Sequence, residues 1–273
     1  MQQKQTIRDR LWLWAMKTNL LQDLGQRDKG WGESTLTVEG AIARTGITNI
    51  MMCGLLPLTA ESLALMPSAT RIITKWSIHE SAALDGSNAV LAYDRAYDAM
   101  MQAKEIAAAD PRIEAYLLDD FSTGSVTAGV KPEHIARLQR ANANFGPQLP
   151  LMATMYTMSL NEPEIPGLLP LFAGYLTPLW HAADIDKLEA AVDQLADMSG
   201  GKPQLLCIYL WDCGNGELMS YDLMQRQLDV AESLIRQDKV FGVVVLGQCM
   251  MDLDWDSCRC FHDWLDRTGD QPV

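Results

Sequence analysis

Short apolar runs alternate along this chain with longer stretches in which apolar residues recur every three to four positions. The runs predict strands at β1 Leu11–Lys17, β2 Asn49–Cys53, β3 Arg71–Ile78, β4 Ile113–Asp119, β5 Leu149–Tyr156, β6 Gly174–Leu179, β7 Gln204–Trp211 and β8 Gly242–Leu246. Several are apolar without a break, Val243-Val244-Val245-Leu246 most plainly. That is the pattern of a parallel strand covered on both faces. Between the runs, helical periodicity predicts helices over Thr35–Thr45, Thr59–Met66, Ser87–Ala109, Pro132–Asn144, Ile165–Leu171, Asp184–Met198, Tyr221–Gln237 and Asp256–Arg267. Ile185, Leu188, Val192 and Leu195 make one buried stripe; Met224, Leu228, Ala231 and Ile235 make another. Gly46, Gly146 and Gly200-Gly201 stand where left-handed caps would end helices. The fifth helix is short and bounded by proline, the weakest of the set.

Alternating strands and helices with short returns argue for a parallel sheet, and eight such units argue for its closure. The expected fold is therefore α/β, a single (β/α)8 barrel of the TIM type spanning residues 1–273 as one domain. An open doubly wound sheet is the competing arrangement. It usually carries a glycine-rich phosphate turn after its first strand, whereas β1 here runs into Thr18-Asn19-Leu20-Leu21. At 273 residues and 48% hydrophobic content, the chain can fill one large core. Two loops after strands are unusual in length or make-up: Asn19–Ser34, with Gly25, Gly30, Trp31 and Gly32, and Ser122–Val130, built from small residues.

Charge narrows the partners. A formal net charge of -13 repels nucleic acids and anionic membranes, so neither is an expected partner. No run approaches the length of a membrane-spanning helix, and Leu11–Met16 is too short for a secretory leader, so a cytoplasmic location is expected. The six cysteines are read as reduced thiols, since Cys258-Arg-Cys260 lacks zinc spacing and has no second pair.

Barrel enzymes place chemistry where strands end at the C-terminal rim. Asp119-Asp120 ends β4, and Asp212 ends β7. Successive strand residues point to opposite faces, so one of the β4 pair should enter the pocket. Asp120 lies further up the rim and is favoured, with Asp119 its rival. A carboxylate on β4 and another on β7 would suit glycosidic cleavage, one protonating the leaving oxygen and the other attacking or activating water. The competing reading is that each Asp caps a strand-to-loop junction. Two short Asp side chains reaching across a barrel tilt the geometry toward inversion, which needs the wider gap.

Trp14, Trp76, Phe121, Tyr156, Trp180 and Trp211 fall at or near the same rim, with His79, His181, Asn215 and Gln248 as polar neighbours. Apolar walls with a few convergent polar groups make small-molecule pockets, and sugar rings stack on aromatic faces. His79, Glu80 and His181 lack the spacing of a metal site, so no metal and no cofactor is expected. Gly214-Asn215-Gly216 reads as a tight turn rather than a phosphate cradle. Lys17 and Lys75 are the strand-end cations; Lys75 reads as an ion-pair partner, with a Schiff-base role as the sharper alternative.

The segments Leu117-Leu118-Asp119-Asp120-Phe121 and Tyr209-Leu210-Trp211-Asp212-Cys213-Gly214-Asn215, with Trp14 and Trp76-Ser77, resemble strand ends of uncharacterised bacterial (β/α)8-barrel proteins that are similar to glycoside hydrolases. As a pattern, the resemblance runs over nearly the whole chain. It implies carbohydrate chemistry on a small-molecule or oligosaccharide substrate. The chain departs from well-known sugar-cleaving patterns: β4 has no Asn-Glu pair and β7 does not end in Glu. A glycoside hydrolase using Asp120 and Asp212 is the expectation. A metal-dependent sugar isomerase or epimerase and a non-catalytic sugar-binding barrel are the alternatives.

Overall fold

The computed structural model describes residues 5–16, 34–52, 58–77, 89–122 and 131–273. Eight parallel strands close into a barrel: β1 Leu11–Ala15, β2 Asn49–Met52, β3 Arg71–Ser77, β4 Ile113–Asp119, β5 Leu151–Thr154, β6 Gly174–Pro178, β7 Gln204–Tyr209 and β8 Gly242–Leu246. Each strand pairs with its neighbour in sequence, and β8 pairs with β1 to complete the ring. Every expected strand is present. Differences are confined to ends: β5 and β7 stop short of Tyr156 and Trp211, which belong to the segments that follow.

One helix follows each strand: α1 Val38–Thr45, α2 Ala60–Ala64, α3 Ala89–Ala109, α4 Pro132–Asn144, α5 Ile165–Leu168, α6 Leu188–Ser199, α7 Tyr221–Arg236 and α8 Asp256–Thr268. Local chemistry sets their ends. The Thr37 side chain accepts from the Gly40 amide at 3.0 Å, satisfying one of the free donors of α1, and Ser220 does the same for α7. Gly46 and Gly200 end α1 and α6 in the left-handed conformation, at φ 69° and 70°. The expected sixth helix starts four residues late. Ala182–Lys187 forms a 3-10 turn, and Ile185 of the predicted stripe is buried from that turn. The α7 stripe is buried as expected, with Met224, Leu228, Ala231 and Ile235 inside.

Strand register decides which residues fill the barrel. In a parallel sheet, directly paired residues point to the same face. Trp12 pairs with Val244 and Asn49, Asn49 with Arg71, Lys75 with Leu117, Leu117 with Met152, Thr154 with Leu176, and Pro178 with Cys207. Following these pairs around the ring puts Trp12, Trp14, Arg71, Lys75, Asp119, Thr154, Cys207 and Tyr209 on one face. Tyr116 and Gln204, on the opposite parity, bond to helix carbonyls of Ala96 and Val192, so the first set faces inward.

The interior is layered. At the N-terminal end the Arg71 guanidinium lies over the rings of Trp12 (4.7 Å) and Phe241 (5.2 Å) and pairs with Glu114 at the register shift beside Ile72. Toward the C-terminal end the interior turns polar, and there the candidate site lies. Among the described residues, no helix is long and apolar enough to cross a membrane.

Candidate active site at the C-terminal end of the barrel

Three neighbouring strands bring charged groups together. Lys75 from β3 pairs with the Oδ2 of Asp119 from β4, and the Thr154 hydroxyl of β5 donates to Asp119 Oδ1 at 2.8 Å. The pair is buried: the Lys75 side chain is 2% exposed and that of Asp119 5%. The ammonium also lies 4.9 Å from the ring centre of Trp14 on β1, in cation–π range. Two residues past β5, the Tyr156 hydroxyl donates to Asp120 Oδ1 at 2.7 Å. Asp120 is only half-buried and connects this cluster to the rim.

The two β4 aspartates divide in position. Asp119, not Asp120, occupies the inward position. Asp120 has φ of +52°, a left-handed conformation uncommon for a non-glycine residue. The chain turns there, so strict strand alternation no longer applies, and the Asp120 carboxylate folds back to Tyr156 instead of pointing into the helix layer. Both carboxylates thus stand near Tyr156. Burial, together with the charges of Asp120 and Asp119, holds the Tyr156 hydroxyl far above the ordinary phenol range. It remains a donor. Burial likewise pushes up Cys207 and Tyr209 on β7, which face the same interior.

Asp212 has a different place. Its Oδ1 accepts from the amides of Gly214 (3.1 Å) and Asn215 (3.2 Å). Its Oδ2 accepts from Asn215 Nδ2 (2.9 Å) and the amide of Ala182 (3.3 Å). Both oxygens are engaged in holding the β7 turn and tying it to the β6 loop, which is the capping role that competes with catalysis. Trp211–Asp212 and Glu217–Leu218 form a two-stranded hairpin around this turn. Gly214-Asn215-Gly216 is its tight turn, and Asn215 serves the turn too. The ring of His181 packs directly on Gly214, where a Cβ would lie 2.2 Å from Nδ1, so His181 is a packing partner of the hairpin.

The aromatic residues divide. Trp14 faces the Lys75 amine, and Tyr156 meets Trp180 edge-on at 5.7 Å, with Trp180 itself 36% exposed. These three line the candidate site. Trp211 is almost buried and packs on Trp255 at 5.5 Å, to one side. Trp76 has the parity that faces the helices, and it packs against the core there. Phe121 is fully buried, edge-on to Phe172 at 4.8 Å. Gln248 is also fully buried; it accepts from the Met16 amide (2.8 Å) and donates to the Leu36 carbonyl (3.1 Å), clamping the β8 turn to the end of β1. Trp76, Phe121 and Gln248, expected as rim contacts, are thus placed in packing or clamping positions. His79, Glu80 and Trp31 lie outside the described residues, as does most of the Ser122–Val130 loop.

Among the described residues, no group of three His, Cys, Asp or Glu side chains is placed to hold a metal ion. Lys75 and Thr154 are the participants that strand patterning undervalued. The signal was present as a lysine inside an apolar strand sharing parity with Asp119 once register is known.

Neither a known protein family nor any curated protein matches the chain in sequence. Solved structures match in shape. Type I 3-dehydroquinate dehydratase from Clostridium difficile, with covalently modified comenic acid, aligns over 98% of both chains with a TM-score of 0.50 and 8% identity. The arginine decarboxylase of Paramecium bursaria Chlorella virus, bound to agmatine, aligns over 89% of this chain with a TM-score of 0.45 and 14% identity, and this chain spans 58% of its length. The tryptophan synthase complex of Pyrococcus furiosus gives a TM-score of 0.44 at 8% identity, over 97% of this chain and 98% of that one. At such identities the likeness is one of fold, and the fold is the TIM barrel.

Proposed function

We propose that this chain is a carbohydrate-active barrel enzyme whose acid–base chemistry is carried by Asp119 and Asp120 on β4, not across the barrel by Asp120 with Asp212. The observation that supports it is the convergence of Lys75, Asp119, Asp120 and Tyr156 beside the indoles of Trp14 and Trp180. The two carboxylates have unlike surroundings, and that difference divides their roles. Asp119 is fixed by an ammonium and a hydroxyl. It would stabilise positive charge developing on a sugar. Asp120, half-buried and accepting from the Tyr156 phenol, is placed to exchange a proton with a sugar hydroxyl, ring oxygen or glycosidic oxygen. Against cleavage across the barrel stands the engagement of both Asp212 oxygens by N–H groups of Gly214, Asn215 and Ala182.

Intrinsic tryptophan fluorescence against a panel of mono- and oligosaccharides tests this. Trp180 is the exposed aromatic wall, so a binding sugar should shift the emission and Trp180→Ala should abolish the shift. Substrates found this way should turn over in the wild type and in Asp212→Asn, but not in Asp120→Asn. A panel with no fluorescence change and no thermal stabilisation would reject the carbohydrate reading.

A further inference from the structure

The amine of Lys75 is left unused by the β4 carboxylate chemistry, and its setting is costly. Burying two ions carries a large desolvation penalty, and well-packed apolar residues of similar volume often do as well or better. The barrel had that option. Several other inward positions are apolar: Ile73 on the same strand, and Leu117, Met152 and Leu176 on the three strands that follow. Methionine at position 75 would fill the space without a charge. Instead the position holds a primary amine, with a carboxylate placed to take its proton and an aromatic face to receive a cation. Asp119 is itself anchored by Thr154, so it stays in place when the proton moves. Asp120 and Tyr156 continue the cluster from this amine to the half-exposed rim.

We propose that Lys75 is a catalytic nucleophile that forms an imine with the carbonyl carbon of an open-chain keto sugar or a sugar-derived keto acid. This rests on the carbohydrate reading and gives it a reaction type. Asp119 takes a proton from the Lys75 ammonium. The freed nitrogen lone pair attacks the carbonyl carbon, and the C=O π pair moves to oxygen, which is protonated from Asp119. The nitrogen then returns a proton to Asp119. The carbinolamine hydroxyl leaves as water with that proton, while the nitrogen lone pair forms the C=N bond. The net change is ammonium plus carbonyl to iminium plus water. The iminium keeps the single positive charge that Asp119 and Trp14 already face. It withdraws electrons from the adjacent carbon, so the class of reaction is C–C cleavage or formation, or loss of water, next to the carbonyl. Such a step is redox-neutral.

Reductive trapping tests the proposal. The full chain is incubated separately with dihydroxyacetone, pyruvate and fructose in the presence of sodium cyanoborohydride, then digested and mapped by mass. The reductant converts an iminium to a stable secondary amine and marks the lysine that formed it. The expected result is an adduct on the Lys75 peptide with at least one probe, in preference to the exposed Lys187 and Lys131, and its loss in Lys75→Arg. Arginine keeps the charge opposite Asp119, so that variant tests the nucleophile without emptying the ion pair. Label confined to Lys187, Lys131 and other surface amines, or no label with any probe, overturns the imine. A wild type that binds sugars by fluorescence yet is never labelled at Lys75 defeats the imine alone. Label at Lys75 by pyruvate in a protein that binds no sugar keeps the imine and defeats the carbohydrate reading.

Discussion

Replacing Lys75 with methionine isolates the energetics of the site from its chemistry. Methionine matches the aliphatic stem and keeps the packing against Trp14, so the loss is chiefly that of the cation. Asp119, 5% exposed, then keeps the Thr154 hydroxyl but loses the ammonium that balances its charge. Removing one member of a buried ion pair typically costs about 3–5 kcal/mol. For a chain of this length each kcal/mol is worth roughly 2–4 °C, so a melting temperature lower by about 6–20 °C is expected. The double variant Lys75→Met/Asp119→Leu removes both charges. It should recover most of the loss, ending within about 1 kcal/mol of wild type, the remainder being the Thr154 hydroxyl that loses its acceptor. Urea denaturation of the four proteins gives the coupling energy directly. A Lys75→Met cost under about 1 kcal/mol, the range of a solvated pair, would show that the pair is not the buried element described. A double variant no more stable than Lys75→Met would show that the deficit came from packing and not from an orphaned charge.

Three further outcomes follow from other contacts. Asp212→Ala strips the acceptor from the amides of Gly214, Asn215 and Ala182, and should cost about 1–3 kcal/mol by denaturation; turnover lost at unchanged stability would instead restore Asp212 to the chemistry. Burial raises the thiols of Cys258 and Cys260 to about 11. A free thiol titrates at about 8.5, so the unfolded chain loses these protons first; their contribution is complete below that pH and drains away up to about 11, and a Cys258→Ala/Cys260→Ala variant should show a flatter fall in melting temperature over this window. Thr37→Ala, which removes the N-cap of α1, should cost about 1 kcal/mol, whereas Thr37→Ser should cost little.

Periodicity along the chain was enough to determine the architecture, for a local reason. A strand buried on both faces must be apolar throughout, and a helix covering it must be apolar on one stripe. Val243–Leu246 and the Met224–Ile235 stripe carry those demands in their own residues. Eight repetitions of the pair leave few ways to cover every strand except closure. The strand ends Asp119-Asp120 and Tyr156 were legible as polar residues in the one zone where a barrel tolerates them.

Orientation was not legible, because it depends on register between strands far apart in sequence. A one-residue shift would turn Asp119 to the helices, away from Lys75. Only the ring of pairings from β1 round to β8 places Lys75, Asp119 and Thr154 on the inner face and Trp76 on the outer. The same limit separated the two kinds of aspartate. Asp119-Asp120 and Asp212 look alike as carboxylates ending strands. The backbone conformation after each decides what its oxygens meet: at Asp212 a tight turn supplies N–H donors to both oxygens, and at Asp120 a left-handed step delivers the side chain to a phenol. Composition places a charge at a strand end, but only tertiary structure decides whether that charge is spent on the protein's own backbone or kept for a substrate.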